Sequence, residues 1–94
     1  MLSVSGRIFT GANVENASYG LTVCAERVAV YQAVVNGEKK IKAVAIASNS
    51  GSAYPCGACR QVLSEFGSDI DVIIVKKKGY TVKKLSTLLP DAFK

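Results

Sequence analysis

The residues of this chain best suited to chemistry fall in two short stretches. One is Cys24-Ala25-Glu26 and the other is Pro55-Cys56-Gly57-Ala58-Cys59. The chain has three cysteines and no histidine, so these sulfurs are its only soft metal ligands. Three protein ligands suit Zn²⁺ at a catalytic centre, where the fourth position stays open. A zinc so held lowers the pKa of a water toward about 7 and makes it a nucleophile near neutral pH. Glu26, beside the first cysteine, is then the candidate general acid/base. Blander readings of the same residues stay open. A C-x-x-C pair also serves as a redox pair or as half of a structural zinc site, and an isolated glutamate is often a solvated helix residue. A structural zinc, however, usually takes four protein ligands.

The elements that must position these residues follow from the apolar spacing. From Cys24 to Asn36 the pattern is helical, with Ala25, Val28, Ala29 and Val35 in the series and Gly37 as a stop. Thr22 stands where it would cap the start. Ile41 to Ser48 is almost continuously apolar and predicts a strand buried on both faces. A turn-rich loop covers Asn49 to Pro55. A second helix is predicted from Gly57 to Phe66, with Val62, Leu63 and Phe66 as its apolar face and Gly67 at its end. Ile70 to Val75 predicts another buried strand, Lys78-Gly79 a hairpin turn, and Tyr80 to Lys83 the returning strand. A short helix around Leu85 to Leu89 ends at Pro90, and Arg7 to Thr10 reads as a first strand bracketed by Gly6 and Gly11. Alternating elements imply an α/β domain with helices layered over a mixed sheet. Cys24 and Cys56 each fall at a predicted helix start, where free N–H groups and the helix dipole favour thiolates. Three thiolates on one Zn²⁺ leave a net negative charge. Arg27 is placed to donate to the sulfurs and damp it, although a plain surface arginine has the same spacing.

Ninety-four residues make one small domain, of a size that a bound metal or a partner subunit would help to stabilise. The net charge of +5 lies largely in lysine runs at Lys39-Lys40, Lys76-Lys77-Lys78 and Lys83-Lys84. No aromatic or arginine stripe accompanies them, so a solvated surface fits better than a nucleic-acid site. No stretch reaches the roughly 18 to 20 apolar residues of a membrane span. The first residues do not form a signal-peptide pattern. An odd cysteine count argues for thiolate chemistry over disulfides, and a cytoplasmic location is expected.

The pairing of C-A-E with P-C-G-A-C is a variant of the zinc-deaminase signature H-x-E followed by P-C-x-x-C, with Cys24 in place of the histidine. Together with GRIFTGANVENASYGLTVCAER, PCGACRQVLSEFG and the tail LLPDAF, it resembles the small homotetrameric, zinc-dependent cytidine deaminases. The resemblance implies a three-layer α/β/α fold on a mixed sheet. It also implies hydrolytic deamination of cytidine and 2′-deoxycytidine to the uridines plus ammonia, in pyrimidine salvage. The enzyme would be a hydrolase acting on a cyclic amidine C–N bond. By the same resemblance Cys24, Cys56 and Cys59 hold Zn²⁺ and Glu26 moves the protons. Asn13 and Glu15 hydrogen-bond the ribose 3′-hydroxyl, although without the resemblance a capped polar turn is the better reading of those two. The Ala25 N–H donates to the pyrimidine carbonyl, and Arg27 donates to the thiolates. Tyr19 and Phe93 reach a neighbouring subunit's site in a homotetramer.

The resemblance further implies an N-terminal helix, a base-stacking phenylalanine and a first strand ahead of Gly6. Residues 1–94 are accordingly expected to be a single deaminase domain, incomplete at its N-terminus, with a strand missing between Gly6–Thr10 and Ile41–Ser48. Two rivals belong to other classes. One is a polynucleotide cytosine deaminase, which would carry a histidine ligand and a basic or aromatic surface. The other is a zinc-stabilised domain without catalysis. The substrate is expected to be a small nucleoside, with no membrane and no nucleic-acid partner.

Overall fold

The computed structural model describes residues 1–94. The chain opens on a two-residue strand, β1 (Leu2–Ser3), and a tight turn that returns through Ile8. A loop with one 3-10 turn (Tyr19–Leu21) leads into α1 (Ala25–Val35). Then come β2 (Ile41–Ile46), α2 (Gly57–Glu65), β3 (Asp71–Val75), β4 (Tyr80–Lys84) and α3 (Leu85–Leu88). The sheet order is β1-β2-β3-β4. Only β2 and β3 run parallel, with α2 as their crossover. β1 and β4 pair antiparallel at the edges. The α/β class and the mixed sheet agree with the sequence expectation.

Sheet alternation sorts the side chains. Val44 is paired with Val72 and Ile46 with Ile74, so these four share one face, and all are buried. Val30 and Ala33 from α1, and Leu63 from α2, join the same cluster, together with Phe9, Ile41, Ile70 and Leu85. Each Val, Leu or Ile fully buried here stabilises by about 1.5 to 3 kcal/mol. The opposite face carries Ala45, Val82 and Tyr80, all exposed. Both long helices therefore lie on one side of the sheet, and residues 1–94 place no helix on the other. This corrects the expectation that Ile41–Ser48 is buried on both faces. A continuous apolar run does not report that one face of the sheet is open.

Two further expectations change. The first strand is Leu2–Ser3 rather than Arg7–Thr10, of which only Ile8 forms a bridge, to Leu2. Leu2 also pairs with Ala43, and Ser3 with Ile41. The chain's own first residues thus lie between the Ile8 segment and β2, where a missing strand was expected. They cover only the first half of β2, since Val44–Ile46 pair with β3 alone. Thr22 does not cap α1. Its Oγ1 accepts from the Asn16 N–H, and Cys24 is the cap residue. The helix ends fall as expected: Asn36 closes α1 before Gly37 at φ +84°, and Phe66 closes α2.

Candidate active site

Both sulfur-bearing stretches start helices, and the fold brings the two starts together. Cys24 is the cap residue of α1 and Cys56 that of α2. Cys24 Sγ lies 3.7 Å from Cys56 Sγ, and Cys56 Sγ lies 3.2 Å from Cys59 Sγ. All three sulfurs fall within 4.8 Å of one another and none is in a disulfide. Tetrahedral thiolates on Zn²⁺ stand about 3.8 Å apart, from Zn–S bonds of about 2.3 Å. The cluster therefore fits the ion without rearrangement of the backbone.

The surrounding groups are suited to anionic sulfur. The Cys56 sulfur accepts the Cys59 backbone N–H at 3.4 Å. Burial pushes the Cys56 thiol pKa up, but the Cys59 N–H, the neighbouring thiols and the Ala58 N–H outweigh it, and the net shift is down. Cys59 is fully buried, and burial with the neighbouring sulfurs holds its thiol well above the ordinary value. A coordinated cation reverses that preference, because a coordinating thiol is deprotonated outright. Arg27 Nη2 donates to Cys24 Sγ at 3.6 Å. The contacts of Arg27 with Cys24 and then Cys59 raise its own pKa further. Arg27 Nε is buried without a hydrogen-bond partner. A cation left unsatisfied beside three neutral thiols is costly, and beside three thiolates it is matched.

The cluster lies beside a cavity of about 560 Å³, with Cys59 buried behind its wall. Cys24, Ala25, Glu26 and Cys56 line it, as do Asn13 and the segment after the carboxyl end of β2. That is where α/β sheets commonly bind ligands. Glu26 is only 9% exposed, although it carries a carboxylate. Asn13 arrives through a two-bond bridge, Val14 N–H to Val23 O at 2.9 Å and Val23 N–H to Val14 O at 3.0 Å. Its Oδ1 accepts the Ala25 N–H at 2.8 Å. Two residues expected to bind separate parts of a substrate are therefore bonded to each other.

Cys24, Cys56, Cys59, Glu26, Arg27, Asn13 and Ala25 are thus gathered at one place. Glu15, Tyr19 and Phe93 are not among the cavity's lining residues. Glu15 is exposed, and Tyr19 and Phe93 are 89% and 78% exposed. The sequence reading missed Phe9, Gly11 and Tyr54 on the cavity wall. Tyr54 had a signal, since it precedes Pro55-Cys56 directly. Gly11 had none that is local. A Cβ there would stand 2.4 Å from the Ala25 carbonyl oxygen and 2.7 Å from the Ala29 nitrogen. Only glycine allows the loop to pass so close to α1.

Residues 2–76 match the family model described as "Cytidine and deoxycytidylate deaminase zinc-binding region". A "Probable cytidine deaminase" of Dictyostelium discoideum is 49% identical over 99% of this chain. This chain spans 65% of the length of that protein. A "Cytidine deaminase" of Sporosarcina psychrophila is 42% identical over 99% of this chain and 71% of its own length. The crystal structure of cytidine deaminase from Burkholderia pseudomallei superposes with a TM-score of 0.88 at 41% identity, covering 98% of this chain and 76% of that one.

Proposed function

Since this chain belongs to the family of the cytidine and deoxycytidylate deaminase zinc-binding region, we propose that it hydrolytically deaminates cytidine and 2′-deoxycytidine to the uridines and ammonia, in pyrimidine salvage. The observation that carries this reading is the meeting of two helix starts. They bring three sulfurs together and set two of them, with the buried Glu26, on the wall of one cavity. The fitting cofactor is Zn²⁺, held by Cys24, Cys56 and Cys59. When bound, it supplies Lewis acidity that makes a water nucleophilic near neutral pH.

The chain's residues then divide the work. The Glu26 carboxylate accepts a proton from the attacking water and delivers it to ring N3. As the remaining hydroxide adds to C4, Glu26 takes the second proton from that oxygen and gives it to the amino group, so the C4–N bond breaks, ammonia leaves and a C4 carbonyl remains. Arg27 offsets the excess negative charge of the three thiolates. Asn13, by giving Oδ1 to Ala25, keeps its amide N–H groups free to donate to the sugar 3′-hydroxyl, and Glu15 accepts from the same hydroxyl. The Ala25 N–H, which Asn13 Oδ1 accepts in this structure, is in this reading the backbone donor shared with the pyrimidine carbonyl.

The assembly is a homotetramer in this reading. Tyr19 and Phe93 are largely exposed within one chain, and Val14, Leu21 and Val35 add exposed apolar surface. No helix is long and apolar enough to cross a membrane. Three free thiols suit the reducing cytoplasm.

Zinc-loaded protein is assayed with cytidine, 2′-deoxycytidine and a cytosine-containing single-stranded oligonucleotide. Uridine formation from the free nucleosides, with none from the oligonucleotide, is expected. Stoichiometric zinc without turnover of either nucleoside would refute the enzymatic reading. Light scattering of the same sample reads the assembly, and a monomer with full activity would refute the tetramer.

A further inference from the structure

The helix that carries Cys56 and Cys59 also grips the end of the chain. Arg60 follows Cys59 directly, and its side chain folds back toward the start of α2. Nε donates to the Pro55 carbonyl at 2.7 Å, and Nη1 donates to the Leu88 carbonyl at 2.8 Å. One residue on, Gln61 Nε2 donates to the Phe93 carbonyl at 3.0 Å. Lys94 Nζ donates to the Ser64 carbonyl at 3.2 Å. The tail is thus laid along α2, and Arg60 is where the tail and the metal-ligand loop meet.

The Pro55 carbonyl is a sensitive point to hold. Pro55 is fully buried and precedes the cap residue Cys56. Its carbonyl oxygen lies in the peptide plane that ends at the Cys56 nitrogen and Cα. Turning that plane changes φ of Cys56, which is −67°, and swings the Cys56 sulfur away from Cys24 and Cys59. At the other end, Leu88 is the last residue of α3, so its carbonyl has no partner within the helix. A guanidinium suits both carbonyls at once because its donors form a rigid fork. A lysine ammonium is a single point charge on a flexible stem.

We infer that Arg60 is a positioning residue for the metal centre. It locks the Pro55–Cys56 peptide, and through it the Cys56 sulfur, against the anchored C-terminal segment. Its guanidinium hydrogen-bonds neither a sulfur nor Glu26, so it acts only through the Pro55 carbonyl. This inference rests on the reading of the three sulfurs as the metal site.

The full chain is compared with its Arg60→Met, Arg60→Lys and Gln61→Ala variants. Zinc affinity is measured by competition with a chromophoric chelator. The visible spectrum of the Co²⁺-loaded protein reports thiolate geometry, and far-UV circular dichroism confirms folding. Arg60→Met is expected to weaken zinc binding about 10- to 100-fold, the usual effect of losing a group that orients a ligand, and to shift the cobalt bands. Arg60→Lys recovers part of the loss, and Gln61→Ala stays near the parent. Parent-like affinity and spectrum in a folded Arg60→Met protein overturn the inference. So does weakened affinity with an unchanged spectrum, or an equal loss in Gln61→Ala. If Arg60→Met does not fold, Arg60→Lys decides: weaker binding with shifted bands supports the role, and parent-like behaviour overturns it. A parent chain that binds neither metal refutes the metal site itself, and the inference falls with it.

Discussion

The two helix starts that meet at the sulfur cluster satisfy their exposed N–H groups in opposite ways. At α2 the cap and the ligand are one atom, since the Cys56 sulfur accepts the Cys59 N–H. At α1 they are separate. Cys24 makes no cap bond with its side chain, and Asn13 reaches across from the loop to take the Ala25 N–H. The surroundings differ as well. The α1 start is pressed by Gly11, while a Cβ added at Gly57 of α2 would meet nothing within 4 Å. The α2 start thus caps itself through its own ligand sulfur, and its outside tie is Arg60, which joins the Pro55 carbonyl to that of Leu88. The α1 start, which also carries Glu26 and Arg27, is assembled by the loop that brings in Asn13.

The largest expected effect tests the α2 start alone. Replacing Cys56 and Cys59 together with serine should remove zinc from about one per chain to none by elemental analysis. Zinc retained at full stoichiometry would take these sulfurs out of the site. The α1 start is tested next by Glu26→Gln, which keeps the shape of the side chain and removes its proton transfer. Turnover of cytidine should fall by at least about 10²-fold with zinc retained. Near-normal turnover would move the proton transfer to another group.

The packing difference predicts different outcomes for two similar substitutions. Gly11→Ala forces a Cβ against the α1 backbone and should destabilise the protein by about 1 to 3 kcal/mol. Gly57→Ala has free space at the first turn of α2 and should leave stability unchanged or raise it, by up to about 1 kcal/mol. Chemical denaturation of the metal-free proteins checks both, and equal effects would erase the contrast. The smallest effects separate the two caps. Asn13→Ala should lower metal-free stability by about 1 kcal/mol while leaving zinc bound. Cys56→Ala should cost less than that, because sulfur is a weak acceptor, and yet should lose the metal. If Asn13→Ala costs nothing, Asn13 does not support the α1 start.

Most element boundaries were legible because they rest on local rules. Apolar spacing and Gly37 marked α1, the same spacing and Gly67 marked α2, and Gly79 marked the turn into β4. Leu2–Ser3 was missed because two residues carry no period, and they form a strand only by pairing with β2. Thr22 was a reasonable cap by sequence position, but the chain path assigns its hydroxyl to Asn16 and leaves the capping to Asn13. The open face of the sheet was also hidden. Val44 and Ala45 are both apolar, and only the position of the helices decides which is buried.

The sequence by itself determined the donor set: three thiols, no histidine, and a carboxylate two residues after the first thiol. It also determined that two of those thiols begin helices, because capping and periodicity act over three or four residues along the chain. Tertiary structure alone decided that Cys24 and Cys56 lie 3.7 Å apart, that Asn13 serves Ala25, and that Arg60 joins Pro55 to Leu88. Each of the last two contacts ties together residues from different elements of the chain. Such contacts depend on how the two helices settle on the sheet. That placement is chosen by burial of Val30, Leu63, Val44 and Ile74 together, which no local window of sequence contains.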